Sequence, residues 1–305
     1  MSPRADRAPN GAGADALEIG LCALPEDPRT IVRWAQLGEQ AGVGWLGICD
    51  SPLTYADPHA TIQEVLRSTT TLRAGTLVTN PVTRHWSVQA GAFRTLEGLA
   101  PGRTFMGIGT GDTAVLEVGL RPARIAELAS YVARFREYAP TTHVLVAVGG
   151  PRSARRAAGY ADALVLGDGA TPAAVGELLR SVAPVPSWLF LIMSLVARAE
   201  DEDIARNDVR DTVFGQAGQA ADGGVDAATE RSLLERFAVI GAPEAAAEKI
   251  NRLVDETGIR RVFLAVISAE PDRVVELATS RMLPRLFASA GQVSRGSGGV
   301  SPRLS

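Results

Sequence analysis

Four short stretches of this chain carry the residue types that can hold a polar ligand. The densest is Gly107-Ile-Gly-Thr-Gly-Asp-Thr-Ala114, at the end of an apolar run and just ahead of a helical pattern. Its glycines let the backbone approach a ligand closely, and a following helix N-terminus offers unpaired N–H groups to an anion. Gly149-Gly150-Pro151 repeats the design, with proline at the first helical position. Asp50-Ser51-Pro52 and Thr79-Asn80-Pro81 put a carboxylate, two hydroxyls and a carboxamide at the ends of two other apolar runs, with Arg84 and His85 close behind. Each has a plain structural reading as well. Asp50 and Asn80 suit turn starts, and Asn80 can bond its own backbone. Asp112 suits a helix N-cap, and His85 stands at a helix start, where a charged imidazolium is disfavoured.

Several chemistries are poorly supported. The three histidines, His59, His85 and His143, fall in separate units without an i, i+4 partner, and neither Cys22 nor Cys49 has a neighbour at ligand spacing. A Gly-x-Ser-x-Gly elbow and a Walker loop are absent. Gly107-x-Gly109-x-Gly111-Asp112 carries an aspartate where the dinucleotide fingerprint needs its third glycine. What is left is an anion-binding rim without a strong nucleophile, the arrangement expected where a bound cofactor performs the chemistry.

The elements that must position these residues alternate. Apolar, β-rich runs at Glu18–Leu24, Trp45–Asp50, Leu72–Thr79, Thr104–Gly109, His143–Val148, Ala163–Leu166, Trp188–Val196 and Arg261–Ile267 are each followed by helical sequence. Continuous Val/Ile/Leu runs mark strands buried on both faces. Eight such units predict an α/β fold, a closed (β/α)8 TIM-like barrel, against the alternative of a doubly wound open sheet. In the barrel the rim at the C-terminal strand ends collects Pro25, Glu26, Asp50, Ser51, Thr79, Asn80, Arg84, Thr110, Gly111, Asp112, Gly149, Gly150, Gly167, Asp168 and Gly169. Residues 1–16 read as a disordered leader, 17–288 as one barrel domain and 289–305 as a disordered Gly/Ser tail. Ala199–Glu235 breaks the rhythm and predicts a helix, a mobile loop and a further helix.

With 305 residues, 46% of them hydrophobic, the chain can bury a large core. A net charge of −3 argues against nucleic acid or an anionic membrane as partner, since both need a concentrated basic surface. The run Arg152–Arg156 reads as an exposed helix face. Only two cysteines and no signal-peptide pattern fit a soluble, cytoplasmic protein.

Taken together, Thr79-Asn-Pro-Val-Thr-Arg-His85, Arg94-Thr-Leu-Glu97, Pro101-Gly-Arg103, Gly107–Ala114 and Gly119-Leu-Arg-Pro122 resemble the luciferase-like monooxygenase superfamily. The nearest branch is the methylenetetrahydromethanopterin-reductase-like oxidoreductases. Ala147-Val-Gly-Gly-Pro-Arg152, Gly159-Tyr-Ala-Asp162 and Ile240-Gly-Ala-Pro-Glu244 continue the pattern in the family's order, from about Ile19 to Leu286. The resemblance implies a bacterial-luciferase-like barrel, a homodimer and a flavin-type cofactor, either coenzyme F420 or FMN. The cofactor ring would rest on the bulge of the third strand near Leu77, Val78, Thr79 and Asn80, with Asp50 and Ser51 beside it. Thr110, Gly111 and Asp112 would border the ring or its ribityl chain. Ala147, Gly149 and Gly150 would meet the phosphate, and Asp50, His85 or Asp112 would orient groups or move a proton.

Three places depart from the family pattern: Leu77 where glycine is common, Cys22 where some relatives carry a strand-one carboxylate, and a short Tyr138-Ala-Pro-Thr-Thr142 connection before the fifth strand. Three functions are therefore open. The first is hydride transfer between reduced F420 or FMN and a small organic substrate. The second is FMN-dependent monooxygenation served by a partner flavin reductase. The third is a cofactor-free barrel in a ligand-binding, partner or rearrangement role.

Overall fold

The computed structural model describes residues 16–288 apart from 25, 168, 170, 183 and 219–224. The leader and tail, and the rim positions Pro25 and Asp168, therefore lie outside the described residues almost entirely, residue 16 alone excepted. All eight anticipated strands form. In chain order the elements are β1 (Glu18–Ala23), α1 (Pro28–Gln40), β2 (Trp45–Ile48), α2 (Pro58–Ser68), β3 (Arg73–Thr79), α3 (Trp86–Leu99), β4 (Thr104–Ile108), α4 (Thr113–Leu116), α5 (Ile125–Tyr138), β5 (His143–Val148), α6 (Pro151–Ala157), β6 (Ala163–Leu166), α7 (Pro172–Val182) and β7 (Ser187–Leu195). There follow α8 (Glu202–Gln216), α9 (Ala227–Phe237), β8 (Ala238–Gly241), α10 (Pro243–Thr257), β9 (Arg261–Val266) and α11 (Pro271–Leu277), which runs on through a wider π-type turn at Ala278–Met282.

Every ladder is parallel, and eight strands close a ring in the order β1-β2-β3-β4-β5-β6-β7-β9, with β9 returning to β1. This is a TIM barrel, as its sequence rhythm predicts. The strand β8 is an addition the sequence reading did not separate. The nine-residue β7 pairs with β6 through Ser187–Leu189 and with β8 through Ile192–Leu195, so β8 takes the edge that the short β6 leaves. Above it α8, α9 and β7 share a small core of Ile192, Val209, Val213, Phe214, Leu234 and Phe237.

Alternation along each strand separates two cores. Outward residues such as Ile19, Leu21, Met106, Ile108, Val144 and Leu264 meet the helices. Inward residues fill the barrel with aromatic rings: Trp45 stands 5.0 Å from Trp188 and 5.1 Å from Phe105, and Trp188 stands 4.2 Å from Phe263. Such rings fit because neighbouring inward positions carry no side chain. A Cβ on Gly20 would lie 2.3 Å from the Phe263 ring, and one on Gly75 would lie 1.9 Å from the Phe105 carbonyl oxygen. At the lower end Trp45 donates its indole N–H to Glu18 at 3.1 Å, and Arg261 pairs with the same carboxylate at 2.8 Å.

Glu39, near the end of α1, ties that helix to the turn before β3. It accepts the amides of Thr70, Thr71 and Leu72 at 2.9, 2.6 and 2.9 Å. Burial opposes its charge, but these amides outweigh it and hold the carboxyl at about 2 against an ordinary value of 4.5.

Three substitutions test this packing. Gly75→Ala forces a methyl group onto backbone and should cost about 3 kcal/mol in chemical denaturation. Gly44→Ala, where nothing lies within 4 Å of the added atom, should stay within about 0.5 kcal/mol. Because the folded-state carboxyl of Glu39 is depressed, its contribution is complete above 4.5 and is lost as pH falls towards 2. Glu39→Gln should therefore flatten the acid limb of the stability profile in that window; an unaltered limb would contradict the assignment.

Candidate functional site

The β3 ladder is where the site begins. Thr76 pairs with Met106 but Thr79 pairs with Ile108, so two intervening residues on β3 face a single one on β4. That bulge, which includes a cis Leu77–Val78 peptide, lets Leu77 join the inner barrel cluster while Val78 lines the space above it. Leucine is accommodated here because the facing residue of β2 is Gly47, whose Cβ would lie 2.4 Å from that of Leu77.

A cleft of about 880 Å³ opens over the bulge at the C-terminal strand ends. Its apolar floor is Leu77, Val78, Ala147, Val165 and Phe190. One wall is Gly109, Thr110, Gly111, Asp112 and Thr113, and Gly149 and Gly167 stand on the adjoining rim. The opposite wall is helix α8, through Asp211, Thr212, Gly215 and Gln216. Gln216 donates its side-chain N–H to the Gly167 carbonyl at 2.7 Å, joining α8 to the end of β6. Among the described lining residues, the only charged side chains are Asp112 and Asp211.

The glycine loop is shaped by contact as much as by freedom. Gly111 has φ +86°, and a Cβ there would meet Val115 at 2.4 Å and Asn80 at 3.1 Å. Asn80 is itself buried and fixed, its side-chain oxygen accepting the amides of Val82 and Thr83 at 2.9 Å each. Asp112 precedes α4 but makes no side-chain cap bond, so capping does not account for it; its side chain is exposed on the cleft wall.

The sequence-derived candidates divide accordingly. Val78, Thr110, Gly111, Asp112, Ala147 and Gly149 line the cleft. Asp50, Ser51, Thr79, Asn80, His85 and Gly150 do not. Asp50, placed beside the ring by the sequence reading, is buried behind the floor, where it accepts Thr79 Oγ1 at 2.6 Å and Arg84 Nε at 3.0 Å. Arg84 also reaches Asp57 at 2.7 Å, and Asp57 caps α2 through the amides of His59 and Ala60. Burial pushes the His59 imidazole down, with Arg84 adding to the effect. Ser51 closes a turn, its carbonyl accepting the amides of Thr54 and Tyr55. His85 caps α3 through Ser87 and faces a separate groove with Trp86 and Tyr131. Gly150 is the N-cap of α6. Thr79, Asp50, Arg84 and Asp57 form a buttress at the strand end that carries Val78.

The α8 wall was missed. Its signal was nevertheless present: Ala205, Val209 and Val213 recur every four residues as a buried stripe, which leaves Asp211, Thr212 and Gly215 together on an adjoining face, while Gln216, seven residues after Val209, ends the stripe. Periodicity gives the faces of a helix but not what each face meets. A second groove, of about 520 Å³, lies between α1 and the start of α11, and its three aspartates are already engaged. Asp27 caps α1, Asp272 accepts from Trp34 and pairs with Arg33, and Asp208 accepts from Ser194 and Ser268. Among the described residues no cluster of three or more His, Cys, Asp or Glu could hold a metal, and no helix is long and apolar enough to cross a membrane.

Arg84→Met should expose the worth of the buttress. It leaves the buried Asp50 carboxylate without its cation, which costs about 3 kcal/mol in pairs of this kind. Chemical denaturation should show that loss, and adding Asp50→Asn should recover part of it. A double variant no better than the single would mean the pair is not the reason.

Comparison with known proteins agrees with the geometry. Residues 5–143 match the family model described as luciferase-like monooxygenase. A 5,10-methylenetetrahydromethanopterin reductase of Methanolobus tindarius is 30% identical over 102 residues, 33% of this chain and 31% of that protein. The match thus spans about a third of that relative's length. An F420-dependent glucose-6-phosphate dehydrogenase of Segniliparus rotundus is 25% identical over 288 residues, covering 90% of this chain and 76% of that one. The solved coenzyme F420-dependent tetrahydromethanopterin reductase of Methanopyrus kandleri shares the fold, with a TM-score of 0.73, 18% identity, and coverage of 89% of this chain and 99% of that one. With the glycine loop, the β3 bulge and the closed barrel, these matches make the chain similar to the luciferase-like monooxygenases in its N-terminal half and in its fold.

Proposed function

We propose that the chain is an oxidoreductase that holds a flavin-type cofactor in the cleft over the β3 bulge and transfers a hydride between it and a small organic substrate. The observation that carries this reading is the cleft's construction, an apolar floor at Leu77, Val78, Ala147, Val165 and Phe190 under a rim of glycines and hydroxyls. A flat ring system fits such a floor, and the volume suits a cofactor together with a small substrate. The rim fits the polar tail. No atom lies within 4 Å of where a Cβ on Gly149 would stand, so the backbone there is open to the cleft. Lacking a basic side chain among its described lining residues, the site would hold phosphate with backbone amides and the hydroxyls of Thr110, Thr113 and Thr212.

The bound cofactor supplies the hydride chemistry. The chain's own residues do the rest. Val78 and Phe190 would hold the ring, and the Asp50–Arg84 buttress holds the strand end that carries Val78. Asp112 and Asp211 stand on opposite walls, each exposed and able to hold or deliver a proton at the substrate. Coenzyme F420 is favoured over FMN because the relative matched across nine-tenths of this chain is an F420-dependent dehydrogenase.

Titration with F420 and with FMN, followed by cofactor fluorescence, tests the reading. Binding of F420 with none of FMN is the expected result. Binding of FMN alone would replace it with monooxygenation served by a partner flavin reductase, and binding of neither would leave the cofactor-free barrel. Gly149→Asp places a carboxylate in open space at the proposed phosphate position and should weaken binding by roughly tenfold or more, from charge repulsion alone. Unchanged affinity would move the phosphate elsewhere. Asp112→Asn should bind cofactor normally and turn over at least tenfold more slowly if Asp112 handles the proton.

A further inference from the structure

Both cysteines of this 305-residue chain meet at one place. Cys22 lies in β1, and Cys49 follows β2 directly, its amide bonded to the Ala23 carbonyl at 3.1 Å. The ladder sets Cys22 opposite Gly47 and Ala23 opposite Ile48, so the two cysteines sit on neighbouring strands at the upper end of the barrel. Their sulfurs are 3.8 Å apart. Both thiols also donate to one acceptor, the carbonyl oxygen of Leu77 in the β3 bulge, at 3.6 Å from Cys22 and 3.4 Å from Cys49. Leu77 in turn lines the cleft.

We propose that Cys22 and Cys49 form a redox-modifiable pair that closes to a disulfide under a hydroperoxide and so alters the cleft floor through Leu77. The cross-link stands independently of the cofactor reading; its meaning for catalysis rests on that reading. Exposure assigns the order of events. Cys49 is half-buried and meets the oxidant, whereas Cys22 is buried among Trp45, Leu77 and Phe263. Hydrogen bonding of the Cys22 thiol to Cys49, together with burial, pushes it well above its ordinary value, which keeps it protonated until it reacts. Cys49, losing its proton, attacks one peroxide oxygen; the S–O bond forms as the O–O bond breaks, and the departing oxygen leaves as water, or as an alcohol from an organic hydroperoxide. The Cys22 sulfur then attacks the Cys49 sulfenic acid. An S–S bond forms, the S–O bond breaks, and the hydroxyl leaves as water with the Cys22 proton. Two thiols lose two electrons and the peroxide gains them. Both S–H groups are consumed, so Leu77 loses two donors at once.

The full-length reduced protein is treated with a small excess of hydrogen peroxide and examined by thiol titration and non-reducing peptide mapping. Both thiols should vanish together, with one linked peptide joining Cys22 to Cys49 and full recovery in dithiothreitol. Surviving thiols, a Cys49 sulfinic acid beside intact Cys22, or links between chains would overturn the proposal. In Cys22→Ser, Cys49 should accumulate as sulfenic acid trapped by dimedone; in Cys49→Ser, Cys22 should survive the same exposure. Oxidation of Cys22 in that second variant at the unaltered rate would overturn the assigned order. Hydrogen exchange reads the coupling without a cofactor: amides of the β3 segment around Leu77 and Val78 should exchange several-fold faster after oxidation. Unchanged exchange would refute the link to the cleft, and this result is separate from any failure of F420 or FMN to bind.

Discussion

A parallel ladder holds side chains in strict alternation, and β3 breaks that alternation between Thr76 and Thr79. Without the break, Leu77 and Val78 would point to opposite faces of the sheet. With it, Leu77 closes the inner barrel core and Val78 opens onto the cleft, while Thr79 turns back to Asp50. Three functions of the strand end (plugging the barrel, flooring the cleft and anchoring the buttress) thus come from one extra residue in one ladder. Gly47 on β2 and Gly107 on β4 yield the space: a Cβ on either would press on Leu77 or on the Thr76 carbonyl.

The rest of the barrel is built to hold that strand end still. Large inward rings at Trp45, Phe105, Trp188 and Phe263 fill the lower barrel, and Gly20 and Gly75 beside them leave the space that Phe263 and Phe105 occupy. Rigid packing below leaves the adjustable part above, where β7 outruns β6 and carries β8, α8 and α9 as an added layer. The cleft is the seam between the two. One wall belongs to the barrel and the other to α8, with the Gln216–Gly167 hydrogen bond joining them. Sites placed at such a seam can keep a fixed floor while the opposing wall varies, which is how one barrel supports many substrates.

Much of this was legible in the chain. Continuous apolar runs of four to nine residues announced all eight barrel strands, because a strand buried on both faces needs no polar alternation. Gly107–Ala114 and Gly149–Pro151 announced cleft loops, because close backbone approach at Gly107 and positive φ at Gly111 and Gly150 restrict those positions to glycine. Less legible was which polar residue at a strand end faces a ligand. Asp50 and Thr79 have the composition of pocket residues, yet Asp50 accepts from Thr79 and Arg84, contacts set by the approach of β2 to the end of β3 and the loop after it.

By itself, then, the sequence determined what is local and periodic: strand and helix positions, the glycine loops, and the fold class that eight β/α units permit. Tertiary structure alone decided what depends on distance between elements. It brought Cys22 within 3.8 Å of Cys49, set α8 across the cleft from Asp112, and turned Asp50 away from the cleft to a half-buried arginine. The physical reason is that side-chain propensity and hydrogen-bond preference act over a few residues. Which face of one element meets which face of another is settled only when the barrel closes and buries them together.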